Sequence, residues 1–537
     1  MPYPKSATAV VLGTTLLSTT LVACSTTAEE STTDKPAAEP NYILAQSTEP
    51  QNPLIPAYTV ETGGGRLVKA IFAGLVYYDA QGNVHNEVAE SIEPNGDNTV
   101  FTIKLKDWKF SDGSEVTAHS FVDAWNYSVS HDLPGSFFFE PIKGFADSVE
   151  SLEGLEVIDD KTFTITLDQP QSDFPARLGD SAFYPLPEAA FADIQAYGEK
   201  PISNGPYLLK EWSHNNSALV VPNPDYHGAR TVKNDGVLFT FYPTADAAYA
   251  DLLANNLDVL DAIPDSALAV YQDDLGQRTV NQAVADFRSF TIPQNLPHFG
   301  GEEGRLRRQA ISMAIDRKEI IDTIFQGNLT PAQDFTTPVL PGWTGEIPGN
   351  EVLSFQPDKA RQLWEKANDI SPWEGTFELA YDSAGGNQAW VDAISNQLSN
   401  NLGIAAAGAP YPDFKSMRDK VSSRTIDTAF RTKWKADYPS LENFLVPLYA
   451  TGGNANDGDY SNPEFDQLLK QAASAHSPQE AYAIYNQAQE ILLEDLPAIP
   501  LWYNNLIAGY SENVSDVEFS WNSTPLYHQV TKTGARS

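Results

Sequence analysis

The sequence predicts a mixed α/β protein folded into two or three lobes, on three observations. A chain of 537 residues exceeds the size at which one hydrophobic core keeps growing, so it divides into several units. Its first half is dominated by short runs in which apolar and polar side chains alternate. Its second half places apolar residues at helical spacing between recognisable caps.

The N-terminal segment carries Lys5, then the mostly apolar or small run Ala7 to Ala23, and it ends in Leu21-Val22-Ala23-Cys24. The run is short and interrupted by Thr14, Thr15, Ser18, Thr19 and Thr20, and no later stretch reaches the ~20 apolar residues needed to span a bilayer. This segment resembles a bacterial lipoprotein signal peptide, in which the cysteine is diacylated and becomes the mature N-terminus. Cys24 is the only cysteine of the chain, and it falls where that signal needs one. Residues Ser25 to Pro40 are Ser, Thr, Glu and Pro with almost nothing to bury, which predicts a flexible tether, so the folded part begins near Asn41.

Beyond the tether, Phe101, Ile103 and Leu105 alternate with Thr102 and Lys104, and Phe163, Ile165 and Leu167 alternate with Thr162, Thr164 and Thr166. Both runs predict half-buried strands. Leu219 to Val221 and Val237 to Tyr242 are further strand candidates, and Pro94-Asn95-Gly96-Asp97 is a turn cluster. Leu306, Ala310, Met313, Ala314, Ile321 and Ile324 predict a helix that Gly327 and Pro331 stop. Ser477-Pro478-Gln479-Glu480 has the form of a capping box with proline at the first helical position. Ala481, Ile484, Ala488, Ile491 and Leu492 then share one face, and Pro497 closes the helix.

The formal net charge of -37 opposes binding to nucleic acid and to anionic lipid surfaces, which reward positive charge. One cysteine excludes an internal disulfide, a CxxC pair and a thiolate zinc cluster, and none of the 8 histidines lies at i,i+3 or i,i+4 from another. There is no GxSxG elbow, HExxH helix or Walker A loop, and Gly63-Gly64-Gly65 lacks the strand-to-helix context of a dinucleotide site. Asn454 to Glu464 has calcium-loop composition, but its glycines are out of register with an EF-hand, so it reads as a polar surface loop. No catalytic residue, metal site or cofactor is expected.

A series of motifs in one order then points to a family. Glu49-Pro50-Gln51-Asn52-Pro53-Leu54, Ile71 to Tyr78, Val88-Ala89-Glu90-Ser91 and Phe110 to Phe121 come first. Asn204-Gly205-Pro206-Tyr207, Pro222 to Tyr226, Arg308-Gln309-Ala310 with Ala314 to Arg317, Asn462 to Asp466 and Leu496 to Leu501 follow. Over Asn41 to Lys532 the chain resembles the oligopeptide- and dipeptide-binding lipoproteins of ABC importers, the peptide class of extracytoplasmic solute-binding proteins. The most informative segment is Phe430 to Pro439, similar to the family's WxADYP strand.

The resemblance implies a periplasmic-binding-protein-like fold, two α/β lobes about a hinge with an extra β-rich domain. The expected boundaries are 41–66, 203–287 and 498–537 for the first lobe, 67–202 for the extra domain and 288–497 for the second lobe. It implies a non-enzymatic receptor that captures short peptides by hinge closure and delivers them to permease transmembrane subunits. The expected protein is a monomer on the outer face of the cytoplasmic membrane, anchored through Cys24. Similar folds bind nickel chelates, haem, opines or oligosaccharides, and Asp437 favours peptides because it would hold the ligand's α-ammonium group. A turn-capping role is its other use. Arg431 occupies the place where some relatives keep an arginine for the ligand carboxylate, with an internal salt bridge as the alternative. Trp434 either walls a side-chain pocket or belongs to the core. Lys433 and Lys435 depart from the small or apolar residues common there, and Glu49 is a further candidate contact.

Overall fold

The computed structural model describes residues 41–146 and 148–533, so Cys24 and the tether lie outside the described residues. One eleven-stranded sheet runs through the whole folded unit. Its centre is a pair of antiparallel 13-residue strands, Thr279–Thr291 and Ala498–Tyr510. To one side lie Ala429–Lys435, Thr376–Asp382 and Ala405–Tyr411; to the other lie Val259–Leu260, Ile43–Ser47, Val237–Phe241, Ser217–Pro222 and Tyr207–Ser213. A separate antiparallel sheet orders Ala89–Pro94, Val100–Leu105, Thr162–Thr166 and Leu155–Asp159, and the helix Ala118–Ser130 packs on it with Phe121 and Trp125 buried.

Two large apolar cores divide this frame, and they meet on the central strands. Val284 belongs to the first core and Ala285 to the second; on the partner strand, Tyr503 belongs to the second and Leu506 to the first. The register of the pair slips between Ala283 and Phe287, at the same place. Ala283 pairs with Asn505 and Phe287 with Tyr503, so two extra residues stand on one strand there and bend the ladder locally, and the lobes join at a built-in irregularity. The expected second boundary at Ala498 differs from this division by several residues, because Ile499, Leu501, Trp502 and Tyr503 pack into the second lobe before the strand leaves it. The inserted region was expected as a domain of its own, yet Phe101, Phe163 and Trp125 share one core with Ile43, Val237 and Phe239 of the first lobe.

The alternating runs form strands within a residue or so of their expected places. Ser477 caps the helix Pro478–Asp495, its side chain accepting from the Glu480 amide at 3.2 Å. The helix expected from Leu306 through Ile324 is instead two, Gly301–Met313 and Arg317–Ile324. Asp316 caps the second by accepting from the Glu319 amide at 2.9 Å. Arg317 is buried and donates to the carbonyls of Ser312, Leu353 and Pro500, the first of which a continuous helix would have paired.

A buried polar chain docks the inserted region on the second lobe. Arg177 donates to the Tyr438 hydroxyl at 2.9 Å and lies 4.7 Å from its ring centre; Tyr438 donates to Glu442, and Ser440 donates to Asp173. One guanidinium thus faces two buried carboxylates, Asp173 and Glu442, and burial holds that pair above the ordinary carboxylate range. Because the folded pKa is raised, the stabilisation is fully present below the unfolded value of ~4.3 and is lost as pH climbs through the raised value. The thermal midpoint of the wild type should therefore fall as pH rises from about 5 towards 9, whereas Glu442→Gln, which needs no proton, should flatten the curve. Circular dichroism melts across that range check this, and equal slopes for the two proteins would remove Glu442 as the cause.

Candidate functional site

The strand Ala429–Lys435 is anchored by its first two residues, which are buried and sit beside Leu379 and Ala380. Past Phe430 that neighbour ends, and among the described residues no strand pairs with Arg431 to Lys435 on this side. On the other side the ladder with Thr279–Thr291 continues to Lys435 opposite Asp286. Ala436 donates its amide to the Ala285 carbonyl at 2.9 Å. Antiparallel pairs alternate in their bonding, so Thr432 and Trp434 turn their backbone groups towards the central strand while Lys433 and Lys435 turn theirs outward. The result is a free edge with usable donors and acceptors. A cavity of about 510 Å³ borders it, lined by Arg431, Lys433, Trp434, Lys435, Phe414 and Tyr449 among others.

At the end of the edge the chain turns through Asp437-Tyr438-Pro439. Asn443, on the helix Glu442–Tyr449, accepts from the Asp437 amide at 3.1 Å and from the Trp434 indole at 3.3 Å. One buried amide group therefore fixes both residues. The Asp437 carboxylate is half-buried and forms no ion pair among the described residues. Burial raises its pKa, against a hydrogen bond from Asn443 and the charges of Arg177 and Lys435. It looks into a second cavity of about 320 Å³ shared with Lys69, Tyr78, Asp180, Tyr184 and Trp521. Burial pushes the Asp180 carboxyl up to about 6, with Lys69 opposing. The place suits a cation brought from outside, because an unpaired carboxylate in low dielectric gains most from a close charge.

The remaining expected residues divide. Arg431 is in an ion pair with the buried Asp382 and lies 4.9 Å from the Phe414 ring centre, so its internal salt bridge is formed. Lys433 reaches Asp286 at 2.9 Å, while Lys435 is exposed and has no hydrogen-bond or ion-pair partner among the described residues. Trp434 both lines the larger cavity and packs against the second core. Glu49 lines neither cavity: His214 holds one of its oxygens at 2.9 Å and the Asn215 amide the other at 2.8 Å. Its place on the surface, committed to these partners, removes it from the candidate contacts.

Sequence reasoning missed Lys69, Asp180, Asn443 and Arg288. Arg288 stands opposite Lys433 in the ladder, and its Nε is buried with no hydrogen-bond partner among the described residues. Lys69 projects from the helix Thr62–Ile71, whose glycine-rich start concealed it. Gly63 and Gly64 are required there by close approach, since a Cβ would stand 2.5 Å from the Thr48 carbonyl oxygen and 2.3 Å from the Thr59 methyl.

The sequence model of the bacterial extracellular solute-binding proteins, family 5 middle, matches residues 83–456. The chain is similar to the periplasmic murein peptide-binding protein MppA of Escherichia coli, with 27% identity over 511 residues, 90% of this chain and 93% of that one. It is 25% identical over 447 residues to the dipeptide-binding protein DppE of Bacillus subtilis, 80% of each. Among solved structures, the unliganded open form of the murein tripeptide binding protein MppA shares the fold with a TM-score of 0.82 at 24% identity, covering 92% of this chain and 98% of that one.

If Asn443 is what pins the end of the edge, Asn443→Ala strips an acceptor from a half-buried indole and from a backbone amide. Such a loss costs ~1 to 3 kcal/mol, and urea unfolding should show the midpoint shifted accordingly with an unchanged slope. A midpoint equal to wild type would mean that solvent replaces Asn443 without penalty.

Proposed function

Because the chain belongs to the bacterial extracellular solute-binding proteins of family 5, we propose that it is a non-enzymatic receptor for short peptides that serves an ABC importer. The observation that carries this reading is the free edge from Arg431 to Lys435 ending at the unpaired carboxylate of Asp437. An extended peptide laid along such an edge gains main-chain hydrogen bonds that do not depend on its side chains. The carboxylate fixes where the peptide begins by pairing with its α-ammonium group. The names of the E. coli and B. subtilis relatives, murein peptide-binding and dipeptide-binding, support a peptide ligand. A nickel chelate, haem or sugar would leave both the ladder and Asp437 unused.

Closure follows from the frame. The lobes bend about the irregular ladder near Ala283 to Phe287, and closing them on a peptide dries the slot and strengthens each charge contact within it. The receptor acts as a monomer, held by lipid at Cys24 to the outer face of the cytoplasmic membrane, and hands its cargo to the permease. Among the described residues no helix is long and apolar enough to cross a membrane. Two acyl chains on one cysteine suffice for stable anchoring.

Two outcomes test the reading. Removing one partner of a buried, hydrogen-bonded charge pair costs ~2 to 5 kcal/mol, so Asp437→Ala should weaken calorimetric binding of a free-amine peptide by roughly 30-fold or more. N-acetylation of the peptide should cost wild type a similar amount, and the two losses should be far from additive because they break one contact. Tight binding of the free-amine peptide by Asp437→Ala would take this residue out of the site. Separately, Cys24→Ser should abolish palmitate labelling and release the protein or leave its precursor uncleaved; undiminished labelling would refute the anchor.

A further inference from the structure

The segment 454–464, expected as a polar surface loop, forms a wall of the cavity beside the free edge: Ala455, Asn456, Asp457, Gly458 and Tyr460 all line it. Its two central carboxylates are taken by arginines. Asp457 is in an ion pair with Arg418 of the helix Phe414–Ser422 and lies 3.3 Å from Arg424, which holds Asp459 at 2.9 Å. Asn456 is buried, donates to the Ala450 and Tyr460 carbonyls at 2.9 and 2.8 Å, and accepts from the Tyr460 amide at 3.0 Å. Gly458 sits so close to the central strand that a Cβ would stand 2.7 Å from the Thr291 methyl. The loop is thus held in one shape by its own contacts, as a preformed pocket requires.

Rings supply much of the remaining wall. Phe287, Phe414, Trp434, Tyr449 and Tyr460 surround about 510 Å³. Phe414 is 52% exposed and belongs to none of the apolar cores of the described residues, so a large apolar face is left open to this space. Strand alternation puts Thr432 and Trp434 on one face with Phe287, Ser289 and Thr291 of the central strand, and Arg431, Lys433 and Lys435 on the other. Of the lining cations, Arg431 is paired with Asp382, Lys433 with Asp286 and Arg418 with Asp457, and Lys435 alone has no partner among the described residues. The face that carries Trp434 therefore offers rings and small hydroxyls, not charge.

The edge also fixes which ligand side chain meets that face. A peptide with its α-ammonium group at Asp437 runs antiparallel to Arg431–Lys435. Its first residue pairs with Lys435, the outward-turned residue nearest Asp437, and its second then stands opposite Trp434. That second pair is not hydrogen-bonded, so its Cα atoms come within ~4.5 Å, and directly opposed side chains share a face. We propose that the ringed cavity is the subsite for the ligand's second side chain, that it selects a large apolar and above all an aromatic one, and that the latched loop 455–460 is the wall that gives it this shape. The inference rests on the peptide reading and names the ligand class for the same site. Apolar area removed from water drives the preference, and edge-to-face or offset ring packing adds to it. The main-chain ladder stays common to all peptides.

The test titrates the mature protein calorimetrically with the tetrapeptides Ala-X-Ala-Ala and Ala-Ala-X-Ala, X being Ala, Leu, Phe, Trp, Glu or Lys. The expected result is that Phe or Trp at the second residue binds about tenfold tighter than Ala, ~1.4 kcal/mol, with Leu between them and no such gain at the third residue. Phe414→Ala removes an exposed ring from the wall and should cut the Phe-to-Ala ratio to about threefold. Ala455→Trp fills the cavity from the half-buried side of the loop and should bring the ratio to about one. Reading each variant as a ratio of two peptides cancels any general loss of binding. Phe and Ala within twofold at the second residue of the wild type, an equal gain at the third, tightest binding by Glu or Lys, or a ratio that both variants retain would each overturn the inference while leaving the peptide reading intact. Failure of every peptide to bind the wild type would instead bring down the peptide reading itself.

Discussion

The pairing of Thr279–Thr291 with Ala498–Tyr510 is the constraint on which the rest of the molecule depends. Each strand begins in one core and ends in the other, so the ladder between them is both the centre of one sheet and the bridge between two lobes. A regular ladder of that length would resist bending, because each hydrogen bond shares the load. The slip between Ala283 and Phe287 interrupts it where neither core claims the strand fully. A second shift follows between Arg288 and Ser289, so two regular stretches are joined by a short irregular one, which is what a hinge needs. The cleft strand inherits its position from the same pair, since it is held against Asp286 to Thr291 and only its first two residues have a neighbour on the other side.

The docking of the inserted region adds a second support at the other end of that strand. Tyr438 and Ser440, just past Asp437, are bound by Arg177 and Asp173 from the inserted region. The turn that presents Asp437 is therefore clamped from outside its own lobe as well as by Asn443 from within. On the proposed reading, a carboxylate that holds the ligand's ammonium group needs that definition, because an ion pair weakens quickly when its geometry is loose. The cost is a buried site in which one guanidinium faces two carboxylates, and burial raises the pKa of that pair.

Much of this was legible in the sequence. Alternation at Phe101 to Leu105 and Phe163 to Leu167, and the cap at Ser477, are local signals, and their elements form nearly where local chemistry puts them. The Phe430 to Pro439 segment led directly to the candidate edge. What escaped depends on partners far along the chain. The single helix expected through Ile324 breaks because Arg317 finds carbonyls at Leu353 and Pro500, which no local pattern announces. Whether Arg431 was free could not be decided until Asp382 was placed beside it. Glu49 was a reasonable candidate by position and is spent on His214 and Asn215. The inserted region was expected as a domain of its own because the resemblance implies one, yet its apolar residues share a single core with those of the first lobe.

Net charge shows the same gap between composition and site. A chain with a formal charge of -37 gives no hint of one cavity edged by Arg431, Lys433 and Lys435 and another edged by Lys69. Distant surface carboxylates are screened within about 10 Å at ordinary ionic strength, so they scarcely affect the slot. What matters there is which cations are already neutralised by neighbours a few ångströms away. Asp286, Asp382 and Asp261 neutralise Lys433, Arg431 and Arg66, whereas the carboxylate of Asp437, at the end of a free edge, has no ion-pair partner among the described residues. A ladder without side-chain preference would set only the ligand's conformation. On the proposed reading, the carboxylate of Asp437 sets its register and polarity by fixing where the peptide begins.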